Sequence, residues 1–257
     1  MSVRIGYAGN RDIAIELLKF IIDDGITPLT LILPDDNNNP HSEELLKLVK
    51  NTPDDLIFNR LQLNDMDMVN RIAELNLDYV ICIHFPYIIP ESILNSVNIG
   101  VLNLHPAYLP YNRGWHTPTW AILDNTPYGA TLHFMESSLD TGDIIHQKEL
   151  EINIDDTAHS LYQRVLSLEI EVFKEAWQMI KTKNIPRISQ KKLRGTTHTK
   201  SDIHSIQKID VNEPIKPKAL INVLRALTTN NIHEAAYFED NGNRYRVQIS
   251  IIKDNME

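Results

Sequence analysis

Val101 to Gly114 reads VLNLHPAYLPYNRG, an apolar run that ends abruptly in Asn103, His105, two prolines and an Arg-Gly pair. In a strand, successive side chains point to opposite faces, so Asn103 and His105 project from the same one, and Pro106 removes the next ladder donor. An amide and an imidazole thus stand together at a strand's end. That is where open α/β sheets place their ligand crevices.

Upstream, strands and helices alternate. VRIGYAG reads as a strand and RDIAIELLKFIIDD as an amphipathic helix closed by Gly25; TPLTLILP is a second strand, followed by a polar loop and the helix SEELLKLVK. LIFN, DMDMVNRIAELN, DYVICIHF and GVLNLH continue the βαβ pattern, and near-continuous apolar strands suit a parallel sheet covered on both faces. The expected fold class is therefore α/β, Rossmann-like with a mainly parallel sheet, the sheet core preceding residue 110.

Downstream the pattern changes. TPTWAILD predicts a helix, YGATLHFM and DIIHQKELEI predict paired strands joined by a polar loop, and residues 157–180 predict a long helix. Its apolar positions Ala158, Leu161, Val165, Leu168, Val172, Ala176 and Met179 recur at three- and four-residue spacing, a packing stripe. A boundary near residue 181 divides a catalytic domain, 1–181, from a small C-terminal subdomain, 182–257. The latter holds a basic linker, a helix around PKALINVLRALTT and a β-hairpin, AAYFEDNGNRYRVQISII, turning at Asn241-Gly242.

Composition bounds the function. A chain of 257 residues with 42% hydrophobic content supports one principal core with an appendage. No stretch approaches the roughly 18 apolar residues a membrane helix needs, and MSVRIGYAGN lacks the apolar centre and cleavage site of a signal peptide. A soluble, cytoplasmic protein without membrane association is expected. The one cysteine, Cys82, excludes an internal disulfide and sits in the apolar run DYVICIHF, where a buried inert thiol is expected.

Charge is uneven. Residues 1–180 hold 11 Lys/Arg against 26 Asp/Glu, and residues 181–257 hold 14 against 8. The segment KTKNIPRISQKKLRGTTHTK, 181–200, carries seven Lys/Arg and no acid; it reads either as a solvated linker or as an anion-binding edge. The acidic main body argues against nucleic acid as a partner.

The first strand-to-helix turn, YAGNRD, has Gly6 and Gly9 at the wrong spacing for a dinucleotide fingerprint. Asn10 and Arg11 nevertheless stand at a helix N-terminus on the sheet's carboxyl edge, where they either cap the helix or meet a phosphate or sugar. A second polar cluster, ESSLDTGDIIH, places Asp140 beside a Thr-Gly turn. Taken alone, D-T-G-D is a turn whose carboxylates cap backbone N–H groups. Acyl transfer to an amine, however, needs a base, an oxyanion donor and an acid route to the leaving nitrogen, and Asn103, His105 and Asp140 supply such a set.

NLHPAYLPYNRG followed, after a helix, by LDTGDII resembles the folate-dependent formyltransferase family in order and spacing. LHPAYLPYNRGWHTPTWAI, PYGATLHFMESSLDTGDIIHQKELEI and the tail LRALTT with AAYF are similar, more narrowly, to the sugar N-formyltransferases that act on nucleotide-linked amino sugars. The resemblance implies N10-formyltetrahydrofolate as donor, a Rossmann-like catalytic domain, no metal and a homodimer, here through the C-terminal hairpin. It implies that Asn103, His105 and Asp140 are catalytic. By position it assigns the donor to Phe85, Tyr87, Ile88, Ile89 and Leu139.

The nucleotide-linked amino sugar is expected to meet Asn10, Arg11, His84, Tyr108, Trp115, His116, Arg194 and Lys200, with the tryptophan stacking a base and the cations facing a diphosphate. A dTDP-4-amino-4,6-dideoxyglucose destined for O-antigen or other lipopolysaccharide synthesis is the first expectation. Four other readings compete: a methionyl-tRNA formyltransferase, a formyltetrahydrofolate hydrolase, a metal-dependent deacetylase using His84, His105, His116, His133, His146 and Asp140, and a non-catalytic nucleotide-sugar-binding module. No H-E-x-x-H or comparable ligand set supports the deacetylase.

Overall fold

The computed structural model describes residues 2–34 and 39–254. Most of the polar loop expected after the second strand, residues 35–38, lies outside them. The strands are β1 (Ile5–Gly9), β2 (Thr30–Leu33), β3 (Ile57–Asn59), β4 (Tyr79–Ile83), β5 (Gly100–His105), β6 (Arg113–Gly114), β7 (Gly129–Phe134), β8 (Ile144–Glu149), β9 (Thr197–His198), β10 (Ala236–Asp240) and β11 (Asn243–Val247). The α-helices are α1 (Arg11–Asp23), α2 (Pro40–Leu48), α3 (Met66–Glu74), α4 (Glu91–Leu94), α5 (Thr117–Asp124), α6 (Ala158–Thr182) and α7 (Pro217–Ala226).

Seven strands form one sheet in the order β3-β2-β1-β4-β5-β7-β8. The first five pair in parallel, while β7 runs antiparallel to β5. The α/β class with a mainly parallel sheet, expected from the apolar runs, is thus observed. Every residue of β1, β2 and β4 is buried, as strands covered on both faces require. The expectation that the sheet core precedes residue 110 is corrected: β7 and β8 extend the same sheet. The physical reason lies in β7, whose six residues are all buried and which pairs along the far edge of β5.

Local chemistry accounts for the element ends. Gly25, at φ 84°, closes α1 in the left-handed region that glycine enters without strain. Asn241 and Gly242, at φ 48° and 79°, make the two-residue turn between β10 and β11 that such a dipeptide favours. That hairpin is shorter than the alternation suggested, ending at Val247. In α6 the stripe Ala158, Leu161, Val165, Val172 and Ala176 is buried as its period demands, with Leu168 and Met179 half-buried.

The chain packs as two compact units. One comprises Met1–His105, Thr131–Gln147 and Glu169–Lys191, and contains the parallel strands β1 to β5. The other comprises Pro106–Ala130, Lys148–Leu168 and Lys192–Glu257. Within this second unit Thr119 Oγ1 donates to the Ala226 carbonyl at 2.8 Å, and Arg225 donates to the carbonyls of Asn153 and Ile154. Its small core gathers Ile203, Leu227 and Ala236. Part of the basic segment belongs here: Thr197–His198 pairs in parallel with Arg113–Gly114. No helix among the described residues is long and apolar enough to cross a membrane.

Candidate active site

The first unit assembles three of the polar residues singled out by sequence and adds a fourth. Asn103 and His105 lie on β5 and point to one face. The antiparallel register with β7 sets His133 opposite Asn103 and Thr131 opposite His105. Cross-strand neighbours on one face are close enough to bond. Asn103 Nδ2 is 3.3 Å from His133 Nε2, and His133 Nδ1 is 2.7 Å from the Phe134 carbonyl. A carbonyl only accepts, so Nδ1 carries the hydrogen and Nε2 accepts from the Asn103 amide. Asn103 is thereby held with its NH2 group toward His133.

Asp140 comes from the loop between β7 and β8, with φ 53°. Its carboxylate is bracketed by two imidazoles: Oδ2 lies 3.4 Å from His105 Nε2, and Oδ1 lies 3.6 Å from His133 Nε2. The rings of His105 and His133 meet edge to face at 6.2 Å. All three side chains are more than nine-tenths buried, so their electrostatic coupling is little screened. The loop is tied down by Gln190, whose Nε2 donates to the carbonyls of Asp140 at 3.1 Å and Gly142 at 2.6 Å. Among the described residues no group of three or more His, Cys, Asp or Glu is placed to hold a metal ion.

The stretch after β4 carries the residues assigned to the donor. Ile89 is in the core, Phe85 and Tyr87 pack against that core with their rings edge to face at 5.6 Å, and Ile88 is 80% exposed. The Arg60 guanidinium lies 4.9 Å above the Tyr87 ring, a cation–π contact. Leu139, on the Asp140 loop, is also exposed. His84, the first residue after β4, has Nε2 2.9 Å from both carboxylate oxygens of Glu169. Removing one member of so buried a pair costs about 3–5 kcal/mol in comparable cases.

Asn10 stands at the N-terminus of α1, its N–H bonded to the Ile83 carbonyl and its Oδ1 accepting from Asn39. Arg11 follows at φ 68° with an exposed side chain.

The remaining residues expected to contact the acceptor fall in the second unit. Tyr108 is half-buried, and Trp115 is exposed with Lys200 Nζ 5.2 Å above its ring. His116, at φ 56° before α5, has Nδ1 3.8 Å from Glu234 Oε2, and burial depresses its pKa against the opposing pull of that carboxylate. Arg194 and Lys200 are exposed on the basic segment, whose neighbour His198 stacks flat on Trp120 at 4.0 Å.

Sequence reasoning named His133 only as a ligand of the competing deacetylase reading, and did not place Gln190 or Glu169 in the site. For His133 the signal was the alternation in GATLHF, which sets it on one face with Thr131; for Glu169 it was an acid on an otherwise apolar stripe. Cys82 pairs in register with Asn103, yet burial pushes its thiol up to about 12. Native protein is therefore expected not to react with a disulfide reagent at pH 8, one thiol per chain appearing on denaturation. A fast-reacting native thiol would contradict that burial.

Comparison with known proteins identifies the class. The family described as formyl transferase matches residues 35–177, and the one described as N-formyltransferase dimerization C-terminal domain matches residues 202–253. The chain belongs to the formyl transferase family, as the quoted motifs implied. Over 185 residues it is 30% identical to a dTDP-4-amino-4,6-dideoxyglucose formyltransferase of Mycobacterium tuberculosis, covering 71% of this chain and 78% of that protein. A solved 4-N formyltransferase from Francisella tularensis superposes with a TM-score of 0.80 at 25% identity, covering 98% of this chain and 99% of that one. A methionyl-tRNA formyltransferase of Clostridioides difficile is 28% identical over 193 residues, which are 72% of this chain but 62% of that protein.

Proposed function

We propose that this enzyme transfers the formyl group of N10-formyltetrahydrofolate to the amino group of a nucleotide-linked aminodideoxysugar, with dTDP-4-amino-4,6-dideoxyglucose as first candidate. The observation that carries the reading is the Asp140 carboxylate bracketed by His105 and His133, with the Asn103 amide held beside them. The sugar nitrogen attacks the formyl carbon and a C–N bond forms. Asn103 donates to the oxygen on which charge develops, and His105 takes the proton the amine loses. As the intermediate collapses, the bond to the folate nitrogen breaks and that nitrogen takes up the proton His105 had accepted, which restores the neutral imidazole. Asp140 orients His105 and stabilises the imidazolium, and no step calls for a metal.

The exposed Ile88 and Leu139 and the half-buried Phe85 and Tyr87 offer apolar and aromatic surface to the donor's ring system. Trp115 with Lys200 offers a stacking face and a cation to the nucleotide, with Arg194 and His116 nearby in sequence. On this reading residues 1–181 carry the chemistry in the cytoplasm, and the product feeds surface polysaccharide. The named relative supports the acceptor class.

The test offers purified protein N10-formyltetrahydrofolate with a panel of nucleotide-linked amino sugars, the matching free amino sugars, initiator methionyl-tRNA, and no acceptor. One nucleotide-linked sugar is expected to gain a formyl group by mass. The free sugar is expected to react at least about 10²-fold more slowly, because remote contacts hold the amine in attacking geometry. Formylation of tRNA alone would overturn the acceptor, and donor turnover without any amine would favour a hydrolase.

The C-terminal segment is proposed to form a homodimer. Its hairpin is two-stranded, and such a ribbon is marginal by itself in water. Tyr245 and Ile252 are exposed apolar side chains within it or just beyond it. Light scattering is expected to give twice the chain mass at micromolar concentration, and a monomer on deletion of residues 234–257. A full-length monomer would reject the assembly.

A further inference from the structure

The buried face of α6 is apolar except at one position. Glu169 lies between Val165 and Val172 on that stripe, its side chain fully buried. A carboxylate survives there only with a partner. His84 is that partner: Nε2 is 2.9 Å from Oε1 and from Oε2, and the imidazole is itself 5% exposed. A ring nitrogen facing two carboxylate oxygens acts as donor, so Nε2 carries the hydrogen.

His84 is also where β4 stops. Its φ of 50° is in the left-handed region, which a residue with a Cβ occupies when its surroundings hold it there. Those surroundings are visible on both sides. The preceding carbonyl, of Ile83, accepts from the Asn10 N–H at 3.1 Å, and the following Phe85 and Tyr87 pack on the core. The last registered pair of β4 and β5 is Ile83 with Leu104, so the reversal begins one step on, level with His105.

We propose that the His84–Glu169 pair is a positioning device for formyl transfer. It holds the left-handed reversal at the end of β4 and so aims residues 85–89 at the donor beside His105. The inference rests on the formyl-transfer reading above. Neither residue touches reacting atoms; both act through the backbone of the segment they anchor.

Three variants of the whole chain separate tether from backbone strain. Glu169→Ala removes the partner, His84→Gly removes the ring while suiting a positive φ, and His84→Asn keeps a short donor on a residue that tolerates the left-handed region. Amide exchange over residues 84–90 is expected to quicken about tenfold or more in His84→Gly and Glu169→Ala, and less in His84→Asn. The Kd for 5-formyltetrahydrofolate, used as a non-reacting probe, and the KM for the donor are expected to rise about tenfold, with kcat falling less than about threefold.

Exchange, Kd and KM all within about twofold of the parent in His84→Gly and Glu169→Ala overturn the proposal. If Glu169→Ala does not fold, His84→Gly and the isosteric Glu169→Gln carry the same measurements. A parent protein that neither binds the probe nor transfers formyl overturns the functional reading instead, whereas the exchange comparison fails only if the pair does not anchor the segment.

Discussion

His105→Ala lowers kcat by about 10³-fold, because the imidazole is the group that takes the amine's proton in the transition state. Asp140→Asn keeps the shape of the side chain but removes the charge lying 3.4 Å from His105 and 3.6 Å from His133, and lowers kcat by about 10²-fold. Asn103→Ala removes the oxyanion donor and costs about 10²–10³-fold. KM changes little in each case, since the interactions lost are made mainly in the transition state.

The fold survives these changes, because none of the three belongs to the apolar core. Circular dichroism and thermal unfolding on each variant check this, and steady-state rates with whichever amino sugar the acceptor panel identifies check the losses. Rates within tenfold of the parent for His105→Ala would remove the assignment of the base. Loss of activity with a chelator, reversed by zinc, would point to the deacetylase reading.

Gly142→Ala is expected to lower both stability and turnover. A Cβ at this position would run into the carbonyl oxygen of Phe134, with the carbonyl carbon 2.7 Å away. Both are backbone atoms that cannot swing aside as a side chain would. Phe134 is held in turn, its N–H donating to the Asp143 carbonyl at 2.9 Å. The loop has to move, and Asp140, two residues away and tied through Gln190, moves with it.

Overpacking of this kind costs about 1–3 kcal/mol, and a misplacement of about an ångström in a catalytic group costs about 10²-fold in rate. Chemical denaturation and kcat are the two measurements. A variant with parental stability and rate would show that the close approach of Gly142 to β7 does not set the position of Asp140.

The order of elements and the placing of Asn103 and His105 on one face were legible in the sequence because they rest on local spacing, while the family and the joining of Asp140 to that pair came from the resemblance of the quoted motifs. Alternation places Asn103 and His105 on one face of a strand, and a three- and four-residue period writes out α6 over 25 residues. What joins segments far apart in the chain leaves no such mark. His133 bonds to Asn103 because β7 pairs antiparallel with β5 in one register, and a shift of one residue would turn it to the other face. Glu169 meets His84 across 85 positions, and Thr197–His198 pairs with Arg113–Gly114 across more than 80. Propensity and periodicity act over a few residues, so they determine which elements form. Which side chains share a site is decided by how those elements pack and in what register, and only the tertiary structure contains that.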